Sequence, residues 1–431
     1  MKTVAIVPAK GSSERVENKN AKLLDGKPLV LHTLEKLLRC TEVDEVYLDT
    51  ESEEIAQLAK HLPVKRLVRN RFLATNATDG HALFMNEVRH IEADIYVQAL
   101  CTAPFVKAET VDRAIRVLKT DGRYDSVALV RKEKQYLWQD GQPAYGHGRI
   151  PNSVDLPATT IEAMSLYAVR REAALATERR FGNRVFLLDA TPVETIDVNT
   201  PADFELANFV ASGQRERERI TLRTLKSELT SPVLSDILDQ LGVHSAVRGL
   251  RPNTPEATIL GRANTLRLRP LDEGEDFRGI YSALQTYDTI VANDVIVVEN
   301  GVPDFAYFGD LNARLAIRAG AVGAIVDGAT RDSGAVRRLG FPVFARETFC
   351  VDVRRRATVA EMGGPVTIGG QHVDQGDLVF ADGDGVIVIP QRHEQAVLEL
   401  AGQTLSREAR ISLDIALNVP AQNILKTAGN F

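Results

Sequence analysis

The sequence predicts two α/β domains in one chain, the first built on a doubly wound, mostly parallel sheet. Three observations carry this. A length of 431 residues exceeds what one ordinary hydrophobic core holds. Short apolar runs alternate with helix-length amphipathic stretches from the first residue onward. Beyond the alternating-charge run Gln214–Arg219 the pattern changes, and hairpin signals join the alternation.

The elements follow in order. Val4–Val7 reads as a buried strand and Leu29–Leu38 as a helix by its apolar spacing. Val43–Asp49 is a second strand and Ser52–Lys60 a second helix, and Ile95–Leu100 and Ser126–Val130 repeat the strand signal. Ligands of such sheets sit beyond the carboxyl ends of the strands. The charge run closes a helix and opens a linker, so residues 1–215 form the first domain, 216–228 the linker and 229–431 the second domain. In the second domain Ile259–Gly261, Val295–Val298 and Ala324–Asp327 read as strands and Leu311–Ala319 as a helix. Val379–Ala381 and Val386–Ile389 flank a hairpin turn at Asp382–Gly385.

Composition narrows the function classes. A net charge of −6 argues against a general nucleic-acid binder. Cys40, Cys101 and Cys350 are far apart and form no CxxC, which suits a reducing cytoplasm. No apolar run reaches the ~18 residues of a membrane span. The histidines show no HxxxH or HExxH spacing, so no zinc site is expected.

The first chemical signal follows the first strand. Gly11, Ser12 and Ser13 let backbone N–H groups approach an anion, while Lys10, Arg15, Lys19 and Lys22 place cations around the same turn. It is neither a Walker A loop nor a GxGxxG turn. On residue types alone it fits either a solvated βα turn or a triphosphate cradle. A second signal lies further on. Gly309-Asp310-Leu311-Asn312 precedes a helix and Thr330-Arg331-Asp332 follows a strand. Helix-start N–H groups, an arginine and a carboxylate suit a small keto acid and a metal, or else a plain Arg–Asp pair.

Residues 10–22 resemble the signature loop of the acylneuraminate and CMP-ketodeoxyoctonate cytidylyltransferases. Further stretches resemble that family in the same order: Gly26-Lys27-Pro28-Leu29, Asp49–Ile55, Val97–Phe105 and Ile196–Phe204. Together they cover roughly residues 1–210. The resemblance implies a nucleotide-diphospho-sugar transferase type of sheet, with CTP as substrate and Mg²⁺ as cofactor. It implies that Lys10, Gly11, Ser12 and Arg15 hold the triphosphate and that Lys19 stabilises charge on the α-phosphate. Gln98 would touch the nucleotide or the acceptor sugar acid, and Asp197 with Asn199 would hold the metal. Two departures stand out. Lys10 replaces an arginine and loses its planar fork, and Asn199 replaces the second aspartate of a D-x-D pair. Asp203 reads as a helix-start residue. Arg149, Asn152 and Glu162 are pocket candidates that spacing does not assign.

Residues 230–400 resemble the RraA-like family, which includes class II 4-hydroxy-4-methyl-2-oxoglutarate aldolases and ribonuclease E regulators. Leu234–Gly242, Asn293–Val298, Gly309–Asp310, Arg331–Asp332, Leu339–Arg346, Gly376–Val379 and Asp382–Val386 carry it. The aldolase branch implies that Asp332 holds Mg²⁺ and Arg331 grips the carboxylate of pyruvate. The N–H groups of Leu311 and Asn312 would bind the keto acid, and Asp310 would orient the group that moves the proton. Ala335 stands where those aldolases commonly carry glutamate.

The two resemblances fit successive steps, since an aldolase can make the keto-deoxy acid that a cytidylyltransferase activates. The alternatives are a non-catalytic RraA-like oligomerisation module, a CMP-transferase for another acid such as a phosphonate, and a ribonuclease regulator. The resemblances also imply a cytoplasmic homo-oligomer, dimeric through the first domain and trimeric or hexameric through the second.

Overall fold

The computed structural model describes all residues except Glu14, Asn76, Ala77, His147 and 429–431. The chain divides into two compact units, Met1–Ser212 and Gly213–Phe431.

The first unit runs β1 (Thr3–Pro8), α1 (Leu29–Leu38), β2 (Glu45–Thr50), α2 (Glu53–Leu58), β3 (Lys65–Val68), α3 (Gly80–His90) and β4 (Ile95–Ala99). It continues with α4 (Ala108–Thr120), β5 (Ser126–Glu133), β6 (Thr159–Arg170), α5 (Arg171–Thr177) and β7 (Val185–Asp189), and α6 (Pro201–Glu228) follows. The seven strands stand in the order β7-β5-β6-β4-β1-β2-β3. Only β6 is antiparallel to its neighbours. β1 is buried on both faces, which is why it reads as a continuous apolar run. Strand alternation sends Ala5 and Val7 to a core with Leu34, Leu37, Ile115 and Leu118 from α1 and α4. Val4 and Ile6 face Phe84, Met85 and Val88 of α3 on the other side. The chain leaves β1 toward β2 on one side and returns to β4 on the other. The loops after β1 and β4 therefore part at a switch point, the place where ligands of such sheets sit.

The second unit contains α7 (Ser231–Gln240), β8 (Ile259–Pro270), β9 (Asp294–Asn300), α8 (Asp310–Ala319), β10 (Gly323–Thr330), α9 (Ser333–Arg338) and β11 (Val343–Thr348). After these come β12 (Ala357–Met362), β13 (Leu378–Ala381), β14 (Val386–Ile389) and α10 (Glu394–Ala416). Its main sheet has the central order β14-β13-β8-β9-β10-β11, parallel from β8 to β11 and antiparallel through the β13–β14 hairpin. The hairpin turn closes where the sequence puts it, with Asp382 N–H donating to Gly385 O at 3.0 Å. The Asp382 carboxylate also accepts the Ser231 N–H at 2.8 Å and its hydroxyl at 2.7 Å, fixing the start of α7.

Residues 216–228, expected as a linker, are the last turns of α6. Glu216 and Arg219 pair at helical spacing, 2.6 Å apart, so this charge pattern supports the helix it was expected to end. Leu222 is buried with Leu229, Leu234 and Phe380 in a core of the second unit. Arg262 on β8 binds Glu218 and, at 2.5 Å, Glu394 of α10. What reads as a solvated run is half anchor.

Candidate active sites

In the first unit three segments meet beyond the ends of β1 and β4. Ala9 N–H donates to Asp49 O at 2.9 Å, which carries the β1–β2 pairing one residue past the strand. A Cβ on Gly11 would lie 2.6 Å from Ser52 Cβ, so only glycine lets the loop rest on the start of α2. Ser52 caps that helix by accepting the Ile55 N–H. The Gly11 N–H itself donates to Glu51 Oε1 at 2.7 Å. Asn20 ties the loop back on itself and to the turn after β4. Its amide donates to Lys10 O at 2.8 Å, and its oxygen accepts from Cys101 Sγ at 3.2 Å.

The third segment precedes α6. Val198 N–H donates to Thr102 O at 2.8 Å, and Val198 O accepts from the Lys19 ammonium at 2.7 Å. Lys19 is only 8% exposed. Burial lowers its pKa; the Cys101 and Asp197 side chains oppose this, while Arg15 and Lys10 push the same way as burial. Lys10, Arg15, Lys19 and Asp197 thus share one electrostatic neighbourhood. Ser12 and Arg15 are exposed. Asp197 Oδ2 accepts from the Asn199 amide, while its Oδ1 is buried with no hydrogen-bond partner among the described residues. Asp203 accepts the Thr200 N–H at 2.8 Å and the Asn199 N–H at 3.0 Å, a helix-start arrangement. Lys22 stands apart from the set, its ammonium 4.8 Å over the Phe204 ring. Arg149, Asn152 and Glu162 are exposed, and Glu162 accepts the Tyr167 hydroxyl.

Gln98 departs from its expected place at a ligand. It has no exposed surface, because its position on β4 shares the parity of Tyr96 and faces α3. Its amide donates to Glu87 Oε2 at 2.6 Å. Glu87 lies against Asp49, which is fully buried and gripped by the Arg69 guanidinium at 2.9 to 3.1 Å. Burial, then the Asp49 charge and the hydrogen bond to it, push the Glu87 pKa well above the carboxylate range. The fold therefore favours the protonated form of Glu87. Sequence reading missed this network, although a glutamine inside the apolar run Tyr96–Ala99 already demands a buried partner.

A raised folded pKa contributes stability below the unfolded carboxylate value, and that stability is lost as pH rises through the folded value. Glu87→Gln imitates the neutral acid at every pH. We expect it to stabilise the protein by about 1–2 kcal/mol near pH 8 and by little near pH 5. Thermal melts across pH would show the gap widening with pH; an even offset would rule out a neutral Glu87.

In the second unit β10 ends at Thr330, whose hydroxyl donates to Phe308 O at 2.7 Å. Arg331 N–H donates to the same carbonyl at 2.8 Å, which brings Arg331 and Asp332 beside the start of α8. A Cβ on Gly309 would lie 2.6 Å from Asp332 Oδ2, so glycine permits this approach. Asp332 holds a left-handed conformation at φ 55° and begins α9. Its Oδ2 lies 3.4 Å from the Asp310 N–H and 3.6 Å from Arg331 Nε. Arg331 Nη2 bonds Asp352 at 2.9 Å, a partner the sequence did not suggest. Leu311 and Asn312 occupy the first turn of α8, where helix N–H groups have no internal acceptors. The Asn312 amide donates to Tyr307 O at 3.0 Å, and Asp310 lies 3.7 Å from Arg314. All five expected residues are brought together here.

A cytidylyltransferase family model matches residues 4–137, and an Aldolase/RraA model of the RraA-like family matches residues 231–388. A Halalkalibacterium halodurans protein named as a 4-hydroxy-4-methyl-2-oxoglutarate aldolase is 30% identical over 189 residues, 44% of this chain and 85% of that protein. The chain carries an RraA-like unit, joined to a first unit that is similar to the cytidylyltransferases. CMP-N,N'-diacetyllegionaminic acid synthase of Legionella pneumophila is 26% identical over 220 residues, 48% of this chain and 94% of that protein. Protein DlpA of the same species is 31% identical over 188 residues, 43% of this chain, so the chain spans only 30% of the length of that relative.

Both halves of a cytidylyltransferase and RraA-like pair imply a divalent cation, and the residues present can be tested for it. Among the described residues no group of three or more His, Cys, Asp or Glu side chains could hold a metal. Mg²⁺ does not need one, since it keeps several waters and binds through one or two carboxylates plus substrate phosphates. In the first unit, Asp197 Oδ1 is a buried carboxylate oxygen with no hydrogen-bond partner among the described residues, which fits such an ion. In the RraA-like unit, Asp332 is 43% exposed and fits an ion held largely through water. Ala335 sits half-buried one turn into α9 and offers no oxygen. Among the described residues no helix is long and apolar enough to cross a membrane.

Proposed function

We propose that the first unit transfers CMP from CTP to the hydroxyl of a 2-keto-3-deoxy sugar acid, with Mg²⁺, and releases pyrophosphate. The observation that carries this is the meeting of Lys19 with Asp197 behind the Gly11 loop, the aspartate keeping one oxygen without a hydrogen-bond partner among the described residues. The acceptor oxygen bonds the α-phosphorus as the bond to the bridging oxygen of pyrophosphate breaks, and the hydroxyl proton leaves to solvent. Lys10 and Arg15 hold the departing phosphates. Ser12 and the loop N–H groups orient them, and Lys19 offsets the charge that grows at the α-phosphate. The metal, when bound at Asp197, supplies charge neutralisation of the phosphates. Asn199 turns its amide to Asp197 and removes the repulsion that a second carboxylate would bring.

The second unit, in this reading, is a pyruvate-dependent class II aldolase that makes or cleaves the same acid. Arg331 binds the pyruvate carboxylate, the Leu311 and Asn312 N–H groups hold the keto oxygen, and Asp310 orients the group that carries the proton. A divalent ion at Asp332 would supply stabilisation of negative charge on the keto acid.

The test is pyrophosphate release from CTP and Mg²⁺ across a panel of keto-deoxy acids and phosphonates. Parallel reactions would contain pyruvate, aldehydes and CTP. Release with a keto-deoxy acid is expected, and CMP-sugar should also form from pyruvate and an aldehyde. Intact CTP with every acceptor would sink the first assignment; CMP-sugar formed only from preformed acid would sink the second.

A further inference from the structure

The N–H at the centre of the phosphate loop is already taken. Glu51, just past the end of β2, places Oε1 on the Gly11 N–H at 2.7 Å. Its other oxygen, Oε2, is buried and makes no hydrogen bond among the described residues. That oxygen lies 3.9 Å from Arg69 Nη1. Arg69 cannot wander: it is 4% exposed, and its Nε and Nη2 are bound to Asp49 at 2.8 to 3.1 Å. A carboxylate oxygen and a guanidinium N–H therefore face each other just outside bonding range. Closing the gap by about 1 Å would make a charge-assisted hydrogen bond.

We infer that Glu51 is a two-position carboxylate. Without nucleotide it stands on Gly11 in place of a phosphate oxygen; with nucleotide it swings to Arg69 and leaves the Gly11 N–H to the triphosphate. A triphosphate beside an unmoved Glu51 would meet like charge at close range, which costs more where burial limits screening. Arg69 is always charged and pre-set by Asp49, so it receives the carboxylate without rearranging. Gly11 itself need not move, because its backbone already rests on Ser52. The inference rests on the reading of this loop as a triphosphate site. It assigns Glu51 a positioning role rather than a catalytic one.

The test uses the full chain, with CTP and inorganic pyrophosphate as probes in titration calorimetry. Glu51→Gln and Glu51→Ala should each bind both probes about tenfold more tightly than the native protein, because no anion has to be displaced. A residue that merely anchored the loop would give weaker binding when replaced, so weaker or unchanged binding in both variants overturns the inference. Crystals grown with and without CTP give a second readout: Glu51 should sit on Arg69 only in the former. Glu51 still on Gly11 with CTP present overturns the two positions even if binding tightens. No binding to any of the three proteins overturns the triphosphate reading itself, and this inference falls with it.

Discussion

Lys19→Met should lower kcat for CMP transfer about 10²–10³-fold, the loss typical of removing one preorganised charge from a transition state. Methionine keeps the length and apolar stem, so the buried position stays filled. KM for CTP should change much less, since in the proposed reading Lys10 and Arg15 would still meet the terminal phosphates. Lys19 is held by Val198 O beside Asp197 rather than extended into solvent, so it is preorganised before substrate arrives. The variant leaves Val198 O without its donor and should melt slightly earlier, by about 1–3 kcal/mol of stability. Pyrophosphate release under saturating CTP, with a melting curve alongside, separates the two effects. Equal losses in kcat and in folded fraction would reduce Lys19 to a structural residue.

Asp332→Asn should remove about 10³-fold or more of any pyruvate-forming activity and abolish its dependence on divalent cations. Asparagine is chosen because Asp332 sits at φ 55°, a conformation that asparagine adopts readily and most residues do not. The backbone, the start of α9 and the contact with Gly309 should therefore survive. CMP transfer by the first unit should be unchanged, which provides an internal control in the same sample. Pyruvate release from a keto-deoxy acid, followed against metal concentration, decides the matter. Native-like, metal-dependent release from the variant would mean that Asp332 is not the ligand.

How much of this was legible beforehand depended on whether a residue's partner lay nearby in sequence. The turn after β1 was legible as a loop because glycine, serines and cations crowd into one short stretch where the apolar run ends. β1 was legible because a strand buried on two faces leaves an unbroken apolar run, and β4 because Gln98 alone interrupts its own. The Asp49–Arg69–Glu87–Gln98 network was not, since its members stand on β2, just past β3, on α3 and on β4, and only the fold brings them together. Gln98 reads as a ligand contact in the family motif, which carries no strand parity, while the strand turns it to α3. The partner of Arg331, Asp352, was hidden for the same reason. The charge run after Gln214 was misread through composition alone: charges alternating at short spacing suit a solvated tether and an ion-paired helix equally. Only Leu222 and the distant Arg262 decide between them.

That helix has a practical consequence for anyone wishing to study the halves apart. Cutting at residue 229, where the RraA-like motifs are about to begin, would discard Leu222 and Glu218, strip a side chain from the core and leave Arg262 with one of its two carboxylates. Such a fragment would be prone to clump or melt for reasons unrelated to its chemistry. A fragment starting at Gly213 keeps both, and the complementary piece ending at Ser212 retains Phe204, Ala207 and Ala211 against Leu24 and Leu29. The seam between the two units runs through the middle of one helix.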